Sequence, residues 1–347
     1  LFLHLSASAK SQSLGSAPDS DQYNNFDAYQ SVYGIDYFFQ NVKSYLEGDD
    51  LSIINLDGAL TTAENSASKS DVYKGDPSYV SALSNSSIEA VNLANDHTED
   101  YGTAGLTETQ TTLKDAGITT FGNDDTSVLE IKGIKVGLVG ISAIDKQVSE
   151  CRTQLTNDIN AVKEQGANLI IVNFHWGANG ETTPNSDQTT LAHAAIDAGA
   201  DLVVGHHPHV LQGMEVYNGR TIFYSLGNFL FETETVEKQP YDAYINKKMP
   251  LDTKVGAYMD ARSKNGTAGY GVLPEIWLSV MAGWTMEDGH LTEIKLYPIS
   301  LGMTEKRPQK GVPVLTGDEN VLAYLAELSK PYGTEMEIKD GVGTIRL

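Results

Sequence analysis

Four of the eight histidines fall in two short motifs, each directly after an apolar run. His175 follows Leu169–Phe174 in Asn173-Phe-His-Trp-Gly177. His206, His207 and His209 follow Asp201–Gly205 in Gly205-His-His-Pro-His209. His97 comes just after Ala90–Ala94, in Asn95-Asp-His97, and Asp57 closes Leu51–Leu56. Imidazole and carboxylate donors without thiolate suit Zn²⁺, Mn²⁺ or Fe. A His-x-His pair can present two rings to one centre, and Pro208 between them fixes φ and stiffens the loop. A carboxylate such as Asp57 could bridge two ions about 3.5–4 Å apart, the arrangement used to activate water and clamp a phosphoryl group. Taken singly, most of these pieces also have a structural reading. His175-Trp-Gly177 could be a packed aromatic turn, Asp57 a turn residue, and Asn95-Asp-His97 a cap for a helix starting near Thr103. Three histidines in four positions at the end of a buried strand have little packing value, and desolvating them without partners is costly.

The apolar runs 51–56, 90–94, 136–141, 169–174 and 201–205 are five or six residues long, and most are rich in Val or Ile. They read as strands. Between several of them lie helix-like segments, 103–116, 155–165 and 186–198, and a further helix is expected over 36–47. Strands alternating with amphipathic helices imply an α/β fold with substantially parallel pairing. In such a sheet the carboxyl ends of strands face one crevice, so Asp57, His97, His175 and the 206–209 histidines would share a volume. Leu1–Leu5 reads as a first strand, in a chain whose true start has been removed, and residues up to about 30 form a loop. Residues 232–271 are polar and irregular, an expected insertion or small lid. Residues 272–299 alternate apolar and polar around Glu287-Asp-Gly-His290, a hairpin pattern. A helix over 320–328 and a last strand close the chain.

The chain has 347 residues, which allows two domains of roughly 150 residues or one large α/β domain. Hydrophobic residues make up 40%, enough for a real core. Acidic residues number 46 and basic residues 24, a formal charge of −22. That argues against nucleic-acid binding, which needs clustered Lys and Arg, and against docking on anionic lipid. The single cysteine, Cys151, excludes an internal disulfide and a Cys-rich zinc site. No stretch of sequence approaches the ~20 apolar residues of a membrane-spanning helix, so no direct membrane insertion is expected.

Several motifs, in order, resemble one family. They are Asn55-Leu-Asp-Gly58, Leu93-Ala-Asn-Asp-His97 with Asp100-Tyr-Gly102, His175-Trp-Gly177, Gly205-His-His-Pro-His-Val-Leu-Gln-Gly213 and Tyr224-Ser-Leu-Gly-Asn-Phe-Leu-Phe231. Together they look like the CapA family, bacterial poly-γ-glutamate capsule biosynthesis proteins whose fold is related to calcineurin-like metallophosphatases. The resemblance runs from about residue 3 to 300. It implies a four-layer α/β sandwich, two mixed sheets flanked by helices, as one domain over 1–300 with 301–347 as an extension packed on it. It implies metal ligands at Asp57, Asp96, His175, His207 and His209, for one or two divalent ions (Mn, Zn or Fe). His97 would act as acid or electrostatic clamp and Asn228 would shape the pocket floor. His206 and Asn95 would orient their neighbours by hydrogen bond.

The chain departs from the family pattern at three places. Lys10-Ser11 stands where the family has a metal-binding Gly-Asp, Asp57 stands where it has Glu, and Asn95-Asp-His97 where it has Asn-Asn-His. One lost ligand and one shortened ligand leave a two-metal, single-metal or degenerate site open. The resemblance implies a capsule or exopolymer synthesis protein with a metal-dependent hydrolase or transferase site, acting on a phosphoester or an anionic polymer. The alternative is a non-catalytic assembly or export subunit. Either way it implies membrane-embedded capsule synthesis subunits as partners. It also implies an extracytoplasmic location, with a tether through an N-terminal segment absent from this chain.

Overall fold

A computed structural model describes residues 2–4, 31, 33–69, 72–231, 241–253, 255–287, 290–305 and 309–347. Lys10, Ser11 and the hairpin-turn residues Asp288 and Gly289 lie outside the described residues. The first strands in chain order are β1 (Phe2–His4), β2 (Ile53–Leu56), β3 (Ala59–Leu60), β4 (Lys74–Gly75), β5 (Ala90–Asn92) and β6 (Thr119–Phe121). Next come β7 (Ser127–Ile131), β8 (Ile134–Ser142), β9 (Leu169–His175), β10 (Leu202–His206), β11 (Met214–Tyr217) and β12 (Arg220–Phe223). The last are β13 (Leu230–Phe231), β14 (Leu278–Glu287), β15 (His290–Ser300), β16 (Val314–Leu315), β17 (Glu337–Lys339) and β18 (Val342–Arg346).

The first sheet runs β13-β1-β2-β5-β6 and is parallel throughout. The second runs β11-β12-β10-β9-β8-β7, with a parallel centre and antiparallel edges β11 and β7. A third, antiparallel sheet, β14-β15-β18-β17, grows from the expected hairpin. Together with the Glu319–Ser329 helix it closes one side of the core, through Val280, Leu296, Leu322 and Ile345.

Side-chain parity along the strands explains the layering. On β9, Leu169 and Ile171 face the first sheet, where they meet Ala90 and Phe121. Ile170, Val172 and Phe174 point the other way, onto helices Val148–Glu164 and Ser186–Asp197. The outer face of the first sheet, Ile54, Leu56 and Val91, is covered by Phe38, Phe39, Leu83 and Leu113. Helices, sheet, sheet, helices is the α/β sandwich expected, with one sheet wholly parallel and the other mixed. The sheets approach closely: a Cβ on Gly140 of β8 would stand 2.2 Å from Asn92 Oδ1 and 2.8 Å from the Gly122 backbone.

Three local expectations change. The helix over 36–47 is a 3₁₀ turn, Ile35–Phe38, and one α-turn, Lys43–Leu46. Burying the adjacent rings of Phe38 and Phe39 outweighs helical continuity. The helix expected from 155 begins at Val148, because Gln147 N–H donates to Glu150 Oε2 and caps it, and Gln is a poor sequence signal for a start. Within the stretch read as irregular, Tyr241–Asn246 and Val255–Arg262 are helical and share a small core of Tyr244, Tyr258 and Met259. Among the described residues no helix is long and apolar enough to cross a membrane.

Candidate metal centre

The parity that packs the core also builds the site. Leu169 and Ile171 face the other sheet, so Asn173 and His175 on the same strand face it too. Leu202 and Val204 do the same for His206, and Asn55 continues to Asp57 at the end of β2. The apolar seam between the sheets therefore turns polar at the carboxyl ends of four strands. His206 lies in register with His175 across β10 and β9. Beyond His206 the chain turns sharply, with His207 at φ 94° and His209 at φ 59°, a left-handed backbone unusual for histidine.

That turn brings His207 Nδ1 to 3.0 Å from His175 Nε2. Asp96 Oδ1 lies 2.7 Å from His175 Nε2 and 3.7 Å from His207 Nδ1. Asp57 Oδ1 stands 3.9 Å from His175 Nε2, and Asp96 Oδ2 stands 3.5 Å from His97 Nε2. Asp57 and His175 are 1% and 0% exposed, whereas Asp96 faces the rim at 28%. Two sets of ligand atoms lie within 4.8 Å of one another, Asp96–His175–His207 and Asp57–Asp96–His97. Asp96 is common to both sets.

The donor set fits a divalent ion. Metal–ligand bonds of about 2.0–2.2 Å around a tetrahedral centre put neighbouring ligand atoms roughly 3.3–3.6 Å apart. The separations of 2.7–3.9 Å here bracket that edge. One proton cannot serve two imidazole nitrogens and a carboxylate that all converge; one cation can. Burial opposes charge on Asp96, but hydrogen bonds to His175 and His207, with the charges of His175 and His97 nearby, hold its carboxyl well below the usual range. Burial pushes the His175 imidazole down, against the pull of Asp96 and Asp57. Burial drives His206 further down, so it is neutral.

The other expected residues have definite places. His209 stands aside from both sets, its ring centroid 6.1 Å from that of His207. Its Nδ1 meets Asn228 Oδ1 at 2.8 Å, which leaves Nε2 as the acceptor nitrogen of the ring. Asn228 is fixed in turn by the carbonyls of His209 and Ile276, at 3.1 and 3.0 Å, so it orients His209. His206 Nε2 bonds Asn173 Oδ1 at 3.1 Å, two residues before His175 on β9. Asn95 ties the His97 turn to β2: its amide donates to Leu56 O at 2.7 Å, and its oxygen accepts from His97 N at 3.0 Å.

Three neighbours were missed. Asp100 Oδ2 accepts from His97 Nδ1 at 2.8 Å, Lys69 pairs with Asp100, and the Tyr73 ring lies 4.1 Å from the His97 ring. The His97–Asp100 spacing of three residues was a readable signal. Lys69 and Tyr73 come from a loop with no local pattern. Burial works against charge on His97, but Asp100, Asp57 and Asp96 outweigh it and raise its pKa.

Fold and geometry thus define a layered α/β protein with a His/Asp group at converging strand ends that could hold a metal ion. Residues 11–233 match the family described as bacterial capsule synthesis protein PGA_cap, and the chain belongs to that family, within the metallophosphatase-like superfamily. It is 32% identical over 225 residues to "Capsule biosynthesis protein CapA" of Bacillus anthracis, covering 58% of this chain and 55% of that protein. It is 27% identical over 289 residues to "PGA biosynthesis protein CapA" of Bacillus subtilis (strain 168), covering 75% and 76%. It is 28% identical over 216 residues to a "Probable polyglutamine synthesis accessory protein" of Mycobacterium tuberculosis, covering 54% and 57%. The chain spans about half the length of the first of these relatives.

Proposed function

We propose that this chain is a capsule or exopolymer (poly-γ-glutamate) synthesis protein whose strand-end pocket is a metal-dependent hydrolase or transferase site. Its substrate would be a phosphoester or a bond in an anionic polymer. The observation that carries this is the convergence of Asp96, His175 and His207 within 3.7 Å. Asp57, Asp96, His175 and His207 would hold the ion, with His209 turned by Asn228 as a further donor. When bound, a Mn, Zn or Fe ion supplies Lewis-acid polarisation and a water activated at neutral pH. His97, braced on Asp100, presents Nε2 at the pocket to donate to a leaving-group oxygen. On this reading the protein works outside the cytoplasm beside membrane-embedded capsule synthesis subunits.

A second reading, a non-catalytic assembly or export subunit, draws on Asp57. Its 3.9 Å gap to His175 is the widest of the separations above, and the family glutamate would carry its carboxylate one methylene further. Elemental analysis after loading with Mn²⁺ or Zn²⁺, paired with turnover of a chromogenic phosphodiester, separates the two. Metal with turnover supports the enzyme, and metal without turnover supports the subunit. If His175→Ala/His207→Ala takes up metal like the parent chain, the site itself is wrong.

A further inference from the structure

Between β3 and β4, residues 61–69 and 72–73 bring Lys69 and Tyr73 against the His97 turn. The first of these residues are held by Glu108 on the Gly102–Asp115 helix, and Ala67, Lys69 and Tyr73 are held by Asp100 of the His97 turn. Asp100 O accepts from Ala67 N at 2.7 Å, and Asp100 Oδ2 accepts from Tyr73 N at 2.6 Å. Lys69 Nζ lies 2.5 Å from Asp100 Oδ1 and donates to the Asp96 carbonyl at 2.5 Å. The same ammonium stands 3.3 Å from His97 Nδ1, while the Tyr73 ring packs on the imidazole. Asp100 is 1% exposed and Lys69 33%, so the lysine is the exposed end of a buried carboxylate pair.

From this arrangement we infer that Lys69 is a positioning residue that, through Asp100, sets the orientation of the His97 ring. The logic is a count of donors. An ionised Asp100 only accepts, so Nδ1 must carry its hydrogen toward Oδ2, and Nε2 must face Asp96. With Lys69 on Oδ1 and on the Asp96 carbonyl, both ends of the 96–100 turn are pinned at once. Without it, Oδ1 loses its cation, the turn loses a fastening, and the carboxylate can rotate away from Nδ1. A role in folding alone would predict that the ring geometry survives wherever the chain still folds.

The inference rests on the proposed site, but its test does not depend on turnover. In chain labelled with ¹⁵N-histidine, long-range ¹H–¹⁵N spectra should show His97 in a single ring environment, with a hydrogen on Nδ1 held toward Asp100. Lys69→Met should give a second ring form or a clear change of both ring nitrogens, and Lys69→Arg should restore the parent pattern. Lys69→Gln, which keeps a donor and removes the charge, is read in the same way if the Met variant does not fold. In the turnover assay Lys69→Met should lower kcat about 10–100-fold with KM and metal content unchanged, and Arg should recover most of it. An unchanged His97 pattern in a folded Met or Gln variant overturns the inference. A parent chain without turnover defeats the enzyme reading and leaves the spectroscopic result to decide on Lys69.

Discussion

Gly140→Ala tests the feature on which the site depends, the close approach of two sheets that each supply half of the ligands. Asp57 and Asp96 come from the first sheet, His175 and His207 from the second. A Cβ at 140 would meet Asn92 Oδ1 at 2.2 Å, the Gly122 Cα at 2.8 Å and the Ala94 Cβ at 3.1 Å. Ordinary contact begins near 3.4 Å, so something must move by about 1 Å. Asn92 cannot yield freely: its oxygen accepts from Ala94 N at 3.1 Å and its amide donates to Asn55 Oδ1 at 2.8 Å. Overpacking costs about 1–3 kcal/mol, and a buried amide pushed off its partners about 1–3 more. Replacing Gly by Ala returns roughly 0.4–1 kcal/mol from the unfolded state. The balance is a loss of about 1–5 kcal/mol, a large share of a typical stability. Because Asn92 sits just before the Asp96 turn, the same shift should move ligand oxygens well beyond the roughly 0.2 Å that a metal site tolerates, and affinity should fall at least about 10-fold. Urea unfolding followed by circular dichroism reads the first effect, and metal titration calorimetry the second. Gly283→Ala is the control: its nearest neighbour would be a Tyr297 ring carbon at 3.7 Å, and it should stay within about 0.5 kcal/mol. If Gly140→Ala matches that control, the sheets do not approach as described and the site geometry fails with them.

Two further outcomes follow from groups away from the pocket. Asp158, half-buried on the Val148–Glu164 helix, has its pKa pushed up to about 6, by burial first and by Asp124, against a hydrogen bond from Gln154. A raised carboxyl contributes stability fully below its unfolded pKa, near 3.9, and loses it as pH rises through about 6. Asp158→Asn should therefore stabilise the chain by about 1 kcal/mol at pH 8, allowing for screening, and by nothing at pH 3.5; equal denaturation midpoints at pH 8 would count against it. Asn185 caps the Ser186–Asp197 helix by accepting from Asp187 N and Gln188 N at 3.0 and 2.9 Å. Asn185→Ala should cost about 1 kcal/mol in the same urea assay, and no loss would mean the cap is replaced by water.

What could be read from sequence was whatever repeats with the period of its element. β9 was legible as a buried strand because all seven of its residues are buried, and a central parallel strand reads as an unbroken apolar run. His175 and His207 were legible because each follows such a run, and strand ends share a crevice, whereas Asp96 came forward only through the family resemblance. Lys69 and Tyr73 were not, because their contact with His97 is made by a connection between two-residue strands, which carries no periodic signal. The shared role of Asp96 was hidden for a related reason. Which carboxylate lies between two ligand sets depends on the turn after β5, and Asn95 sets that turn by reaching back to the Leu56 carbonyl. The 36–47 segment misled because Phe38, Phe39, Val42 and Leu46 keep a helical spacing of burial although the backbone breaks at Phe39.

The contrast along a single strand face explains why stability and chemistry coexist in one seam. At the start of β9, Leu169 and Ile171 join a continuous apolar core with Val136, Leu138 and Leu202. Two and four residues further along the same face stand Asn173 and His175. Those positions gain nothing from apolar burial, and a buried imidazole or amide there must find partners or lose several kcal/mol. The partners are other polar strand-end groups, Asn55 with Asn92 and Asn173 with His206. The left-handed backbone at His207 and His209 adds strain of order 1–3 kcal/mol per residue. None of this helps the chain fold, and aliphatic residues on an extended backbone would pack the same space at lower free energy. A polar, strained rim on an otherwise apolar seam is what the proposed metal site would require of the residues at one end of the strands. The amino ends of the same strands, made of Leu, Val, Ile and Ala, supply the stability that lets the rim persist.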